Sequence, residues 1–106
     1  MNILFICSRN QWRSPTAEAV YKNIPGISAR SAGTSPVART KVNEALIKWA
    51  DIVFVMEDKH RDILLSQFSS VVQHKQVIVM HIPDEYRYMD EELVDMIQDI
   101  VNPYIV

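Results

Sequence analysis

Cys7 and Arg13 are separated by five residues, Ser8-Arg9-Asn10-Gln11-Trp12, and Ser14-Pro15 follows directly. At that spacing a cysteine and an arginine are a nucleophile and an anion clamp that can address one phosphorus. Sulfur reacts as the thiolate, which a helix N-terminus and a neighbouring guanidinium both favour over the thiol. Five intervening residues let the backbone curl round one tetrahedral anion with successive N–H groups turned inwards. Arg13 would close the ring, because its planar fork donates two parallel bonds to phosphate oxygens where lysine offers only a point charge. The chemistry this predicts is phosphoryl transfer through sulfur, with Ser8, Arg9, Asn10, Gln11, Trp12, Arg13 and Ser14 as the phosphate-binding set. Such a curl needs a residue near the left-handed region. The stretch has no glycine, and Asn10 is its most tolerant member. Without Gly-x-x-x-x-Gly-Lys it is not a nucleoside-triphosphate loop. Two roles are open to Ser14 and do not exclude each other: capping a helix and donating a hydrogen bond to the thiolate. Arg9 is either a substrate contact or a solvated loop charge.

Such a loop has to hang between a strand and a helix, and the flanking sequence supplies both. Ile3–Ile6 is a continuous apolar run that suits a strand covered on both faces. After it, Ser14-Pro15 offers an N-cap and a first helical position, and Ala17, Val20, Tyr21 and Ile24 recur at helical spacing until Pro25-Gly26. Further strands are expected at 27–31, 52–56 and 77–80, and further helices at 40–50, 58–67 and from Asp90 onwards, the last burying Leu93, Met96, Ile97, Ile100 and Val101. Alternation of this kind predicts an α/β fold: one domain spanning residues 1–106, with a doubly wound, four-stranded parallel sheet and helices on both faces. Ligands of open α/β sheets bind outside the carboxyl ends of the strands, where strand order reverses. That directs attention to the loops 7–13, 32–39, 57–60 and 81–90.

Composition bounds the rest. A chain of 106 residues with 48% hydrophobic and 23% charged residues is that of an ordinary globular domain. The net charge of −2 gives no general attraction to nucleic acid or acidic lipid, although residues 1–50 carry seven Lys/Arg against two Asp/Glu. A site built from that half attracts anions. No apolar run approaches the roughly 20 residues of a membrane span, and the N-terminus lacks a secretory pattern, so the cytoplasm is the expected setting. A single cysteine excludes an intramolecular disulfide and a multi-cysteine zinc site. His60, His74 and His81 are scattered and read as surface or loop residues rather than metal ligands. No cofactor is expected.

The order of four motifs resembles the low-molecular-weight protein tyrosine phosphatase family. They are Cys7-x5-Arg13-Ser14-Pro15, Ser31-Ala32-Gly33-Thr34, the stretch Trp49-Ala50-Asp51-Ile52-Val53-Phe54-Val55-Met56-Glu57, and Pro83-Asp84-Glu85-Tyr86. The resemblance implies that Cys7 is the nucleophile and Arg13 the clamp, that Asn10 holds the loop in shape, and that Ser14 supports the thiolate. It implies Asp84 as general acid. A leaving oxygen must receive a proton as its P–O bond breaks, and the same carboxylate can then deprotonate the water that hydrolyses the phosphocysteine. Tyr86 and Tyr88 are candidates to line the cleft or to pack between loop and helix. This chain departs from the family in three ways. Ser35–Arg39 replaces a longer loop and helix, Glu85 replaces the proline after the acid, and Trp12 stands where many relatives have a second cysteine.

The expected function is a cysteine-dependent phosphate monoester hydrolase. Its partner would be a phosphorylated protein or a small phosphomonoester, not a nucleic acid or a membrane. A catalytically weak phosphate-binding module and a phosphocysteine carrier are the alternatives. The carrier is the poorer match, because Arg13 and Asp84 serve hydrolysis better than relay.

Overall fold

The computed structural model describes residues 1–105. In chain order the elements are β1 (Asn2–Cys7), α1 (Arg13–Tyr21), β2 (Ser28–Gly33), α2 (Glu44–Trp49), β3 (Ile52–Val55), α3 (Asp58–Gln67), α4 (Ser69–Val72), β4 (Gln76–Val79) and α5 (Glu91–Ile105). The strands form one sheet in the order β2-β1-β3-β4, and every pairing is parallel. The expected doubly wound sheet is what the chain builds.

Period-two alternation divides β1 between two cores. Ile3, Phe5 and Cys7 face a cluster with Ala17 and Tyr21 of α1 and Leu93, Ile97 and Val101 of α5. Leu4 and Ile6 face the opposite cluster, with Ile47 of α2, Leu64 of α3 and Val71 and Val72 of α4. Both faces of β1 are dry, which is why its apolar run is unbroken. Phe5 lies between Tyr21 and Phe54, with ring centroids at 5.9 and 5.6 Å. Since β2 pairs on one side of β1 and β3 on the other, strand order reverses beside β1. Cys7 ends that strand.

Several boundaries differ from the sequence reading for identifiable reasons. α1 stops at Tyr21, not Ile24, because the residue before Pro25 is disfavoured in the helical region and Gly26 takes φ +83°. α2 begins at Glu44 rather than 40, because the backbone of 40–42 is committed elsewhere: Gly33 N–H donates to Thr40 O and Val42 N–H to Gly33 O. Asn43 then caps α2 by accepting the Leu46 N–H. Trp49 is half-buried with the Arg30 guanidinium 4.6 Å above its ring. α4, a single turn, carries no sequence signal of its own.

Gly33 is where the fold bears directly on the loop after β1. A Cβ there would lie 2.5 Å from Ser8 O, 2.7 Å from the Ala38 Cβ and 2.9 Å from Asn10 N. Two of those neighbours are backbone and cannot swing aside. Gly33→Ala is therefore expected to cost about 1–3 kcal/mol of stability, read from denaturant midpoints. An unchanged midpoint would show that β2 and the loop are not in close contact.

Candidate active site

Cys7 lies at the end of β1 with 3% of its surface exposed, and it lines a pocket of about 260 Å³ together with Arg9, Gln11, Trp12, Arg13 and Asp84. The chain from Cys7 to Arg13 thus closes round one concavity. Asn10 adopts φ +54°, the left-handed conformation the curl requires. Its amide holds that shape by donating to Ser14 Oγ at 3.0 Å and Ser31 Oγ at 2.9 Å.

The first three carbonyls of the loop are engaged on its outward side. Thr34 N–H donates to Cys7 O, Ser35 N–H to Ser8 O and Arg39 N–H to Arg9 O, at 2.9–3.0 Å. Carbonyls tied to the segment after β2 leave the opposite edges of those peptides for the pocket. The N–H groups of residues 8–12 make no hydrogen bond among the described residues. Five successive free amides at the mouth of α1 are the donors that a tetrahedral anion needs.

Ser14 is the second residue of α1, and the N-cap position is Trp12, which has no side-chain cap. Of the two roles open to Ser14, capping is therefore not the one it takes. Its hydroxyl accepts from Asn10, donates to Ala32 O at 3.3 Å, and lies 2.9 Å from Cys7 Sγ, a pair in which either atom can donate; when sulfur is the thiolate, the shorter contact takes the hydroxyl proton. The helix starts earlier than Ser14-Pro15 suggests because the loop itself delivers the chain into helical geometry at Arg13.

Arg13 is buried to 2% exposure. Its Nη1 donates to Glu57 Oε2 at 2.7 Å and to Ile82 O at 2.8 Å, and its Nε stands 3.6 Å from Asp84 Oδ1. Glu57, two residues past the end of β3, was not among the candidate residues in the sequence. Burial alone would raise its carboxyl. The hydrogen bond and charge of Arg13, helped by Lys59 and His60, carry it below the ordinary carboxylate range instead. Asp84 keeps 58% of its side chain exposed. It enters the pocket from the segment after β4, within reach of the clamp but not committed to it.

His60 corrects the sequence reading most sharply. Expected at the surface, it is wholly buried. Its Nδ1 accepts the Glu57 N–H at 3.0 Å, so the neutral ring carries its proton on Nε2, which donates to Ser8 Oγ at 2.9 Å. Loss of solvent, then the charge of Arg13, pushes its pKa down to about 4 against the opposing pull of Glu57 and Asp84. The available signal was spacing: a side chain three residues after the N-cap Glu57 can reach back to its N–H, as in a capping box. Glu57 and His60 therefore tie Arg13 and Ser8, the two ends of the loop, to the N-terminus of α3.

The remaining candidates sit apart. Ser8 and Asn10 turn their side chains to His60 and to Ser14 and Ser31, so any part they play at the pocket is through their amides. Neither Tyr86 nor Tyr88 lines the Cys7 pocket. Tyr86 packs against the α1/α5 core, and Tyr88 borders a neighbouring groove. Asp90 accepts the N–H groups of Glu92 and Leu93 at the start of α5.

His60 makes stability pH-dependent in a predictable direction. Its proton is bound by the unfolded chain from about pH 6.5 downwards and by the folded chain only near pH 4, so stability is lost as pH falls through that window. Between about pH 7.5 and pH 5 the loss attributable to this group is about 2 kcal/mol. His60→Gln keeps an acceptor for the Glu57 N–H and does not titrate. Urea unfolding across that range should give a flatter pH dependence for the variant. Parallel curves would remove His60 as the titrating group.

Comparison with known proteins follows the same lines. No protein-family model matches the chain. It is 32% identical over 95 residues to the protein-arginine-phosphatase of Bacillus subtilis (strain 168), an alignment that covers 64% of this chain and 63% of that protein. The chain thus spans less than two thirds of that relative's length. Among solved structures, the tyrosine phosphatase Wzb from Escherichia coli K30 in complex with phosphate superposes with a TM-score of 0.78 at 23% identity, covering 97% of this chain and 94% of that one. A cysteine-to-serine mutant of the YwlE arginine phosphatase with a phosphorylated active-site serine superposes with a TM-score of 0.76 at 22% identity, covering 99% and 96%. The likeness carried by the four motifs extends to the whole backbone: this chain is built on the low-molecular-weight protein tyrosine phosphatase fold.

Proposed function

We propose that the chain is a phosphatase that hydrolyses a phosphate monoester through a cysteinyl-phosphate, with phosphotyrosine as the substrate group. The observation that carries this reading is that Cys7, Arg13 and Asp84 line one pocket at the end of β1. The free amides of residues 8–12 and the Arg13 guanidinium take up the phosphate charge, which is spread over the three equatorial oxygens during transfer. Sulfur of Cys7 attacks phosphorus, the P–O bond to the leaving group breaks, and Asp84 gives that oxygen its proton. Asp84, now a carboxylate, takes a proton from water as the water oxygen attacks phosphorus. The P–S bond breaks and the thiolate returns to the hydrogen bond from Ser14. No step calls on a metal ion. A thiol nucleophile without a second cysteine fits a reducing compartment such as the cytoplasm.

A second substrate reading rests on the relative at 32% identity, whose name is protein-arginine-phosphatase. On phosphoarginine the bond broken is P–N, and Asp84 would protonate the guanidine nitrogen instead of a phenolic oxygen. Rates on phosphoarginine and phosphotyrosine peptides separate the two.

Rapid mixing with an aryl phosphate tests the chemistry. The expected result is a burst of phenol near one equivalent of enzyme followed by steady turnover. Cys7→Ser should bind phosphate and release no phenol; retained turnover would remove Cys7 from the mechanism. Asp84→Ala should slow esters of poor leaving groups by about 10²–10⁴-fold and activated esters far less. Equal losses would place the acid elsewhere. A phosphate-binding module would show neither burst nor turnover, and a carrier would show the burst alone.

A further inference from the structure

Beside the Cys7 pocket, and sharing Gln11 and Trp12 with it, lies a groove of about 500 Å³ that the proposed chemistry does not use. Pro15 and Glu18 of α1 and Lys22 just past its end line it, with Arg39 and the rings of Trp12 and Tyr88. Those two aromatic side chains are 38% and 52% exposed. Lys22 and Arg39 form no ion pair among the described residues. The carboxylate of Glu18 already accepts the Ser31 hydroxyl at 2.7 Å. The groove is therefore net positive on a molecule whose overall charge is −2.

It is also built in advance. The hydroxyl of Thr16, a buried residue, donates to Trp12 O and accepts the Met89 N–H at 2.9 Å. One side chain thus locks the backbone beside both aromatic walls, and Met89 holds the Tyr88 turn with φ +61°.

We infer that this groove is a subsite for the polypeptide flanking the phosphorylated residue, and that it favours substrates with an acidic side chain close to that residue. The inference rests on the phosphatase reading and narrows it from any phosphomonoester to a protein segment. A small ester is accommodated by the Cys7 pocket alone. An extended chain advances about 3.3–3.6 Å per residue, so its next side chains pass the rim at Trp12 and reach the neighbouring groove. There a carboxylate meets Lys22 and the forked donor of Arg39, while apolar atoms lie against the two rings.

The test compares phosphotyrosine heptapeptides carrying Asp or Lys at the positions flanking the phosphorylated residue, each rate normalised to para-nitrophenyl phosphate. At low ionic strength the Asp peptide should be preferred by about tenfold in kcat/KM, and added salt should shrink that preference. The K22E/R39E double variant should reverse it. A ratio near one in the unmodified protein, or a ratio that the double variant leaves in place, overturns the subsite. So does turnover of para-nitrophenyl phosphate with neither peptide accepted. No turnover of para-nitrophenyl phosphate overturns the phosphatase reading itself, and the subsite with it.

Discussion

A guanidinium buried to 2% exposure organises this molecule. An unpaired charge in such surroundings is heavily penalised, so Arg13 can occupy its position only if fixed acceptors meet it there. They come from distant parts of the chain: Glu57 after β3, and the Ile82 carbonyl and Asp84 after β4. Each lies at the carboxyl edge of the sheet, and only the parallel arrangement of β1, β3 and β4 brings them to one point. This contact joins the basic and acidic halves of the sequence. The basic N-terminal half contributes the loop and its clamp, and the acidic C-terminal half contributes the groups that hold the clamp in place.

How far the sequence foretells this depends on the range of the interaction. β1 and its two cores are legible because alternation in an apolar run is local. The left-handed Asn10 is legible because a glycine-free curl leaves few residues able to adopt that conformation. Glu57 and His60 are not, although Glu57 lies within a recognisable motif. A glutamate after a strand is ordinarily a solvated helix start, and a lone histidine carries no ligand spacing. Their partners lie 44 and 52 residues away, and nothing in the sequence between states that distance in space. Ser14 shows a subtler limit. Its type and the proline after it have the form of a cap, yet the loop geometry shifts the helix start and sends the hydroxyl to sulfur.

The short stretch after β2 also has a definite physical job. Amides can face an anion only if the carbonyls of the same peptides face away and find donors there. Thr34, Ser35 and Arg39 supply those donors, and Ala38 closes the turn onto Ser35 O. Gly33 allows the approach, because any Cβ at that position would meet the loop backbone. A longer insertion is not needed for this support. The exposed ring of Trp12 stands between the Cys7 pocket and the neighbouring groove, which the exposed ring of Tyr88 borders.

Two carboxylates share one guanidinium, and their surroundings divide the work between them. Glu57 makes the direct bond at 2.7 Å and is held below the ordinary carboxylate range, so it keeps its charge whenever the clamp is formed. Asp84 stands at 3.6 Å with most of its side chain in solvent, so the clamp survives if that carboxyl is neutral. A group that must give up and regain a proton within each proposed turnover cannot also be the group that neutralises the buried cation. If it were, every protonation would strand the Arg13 charge and loosen the loop proposed to bind the phosphate. Assigning the structural charge to Glu57 leaves Asp84 free to cycle, which is why the absence of a rigidifying proline at Glu85 is compatible with an acid at Asp84.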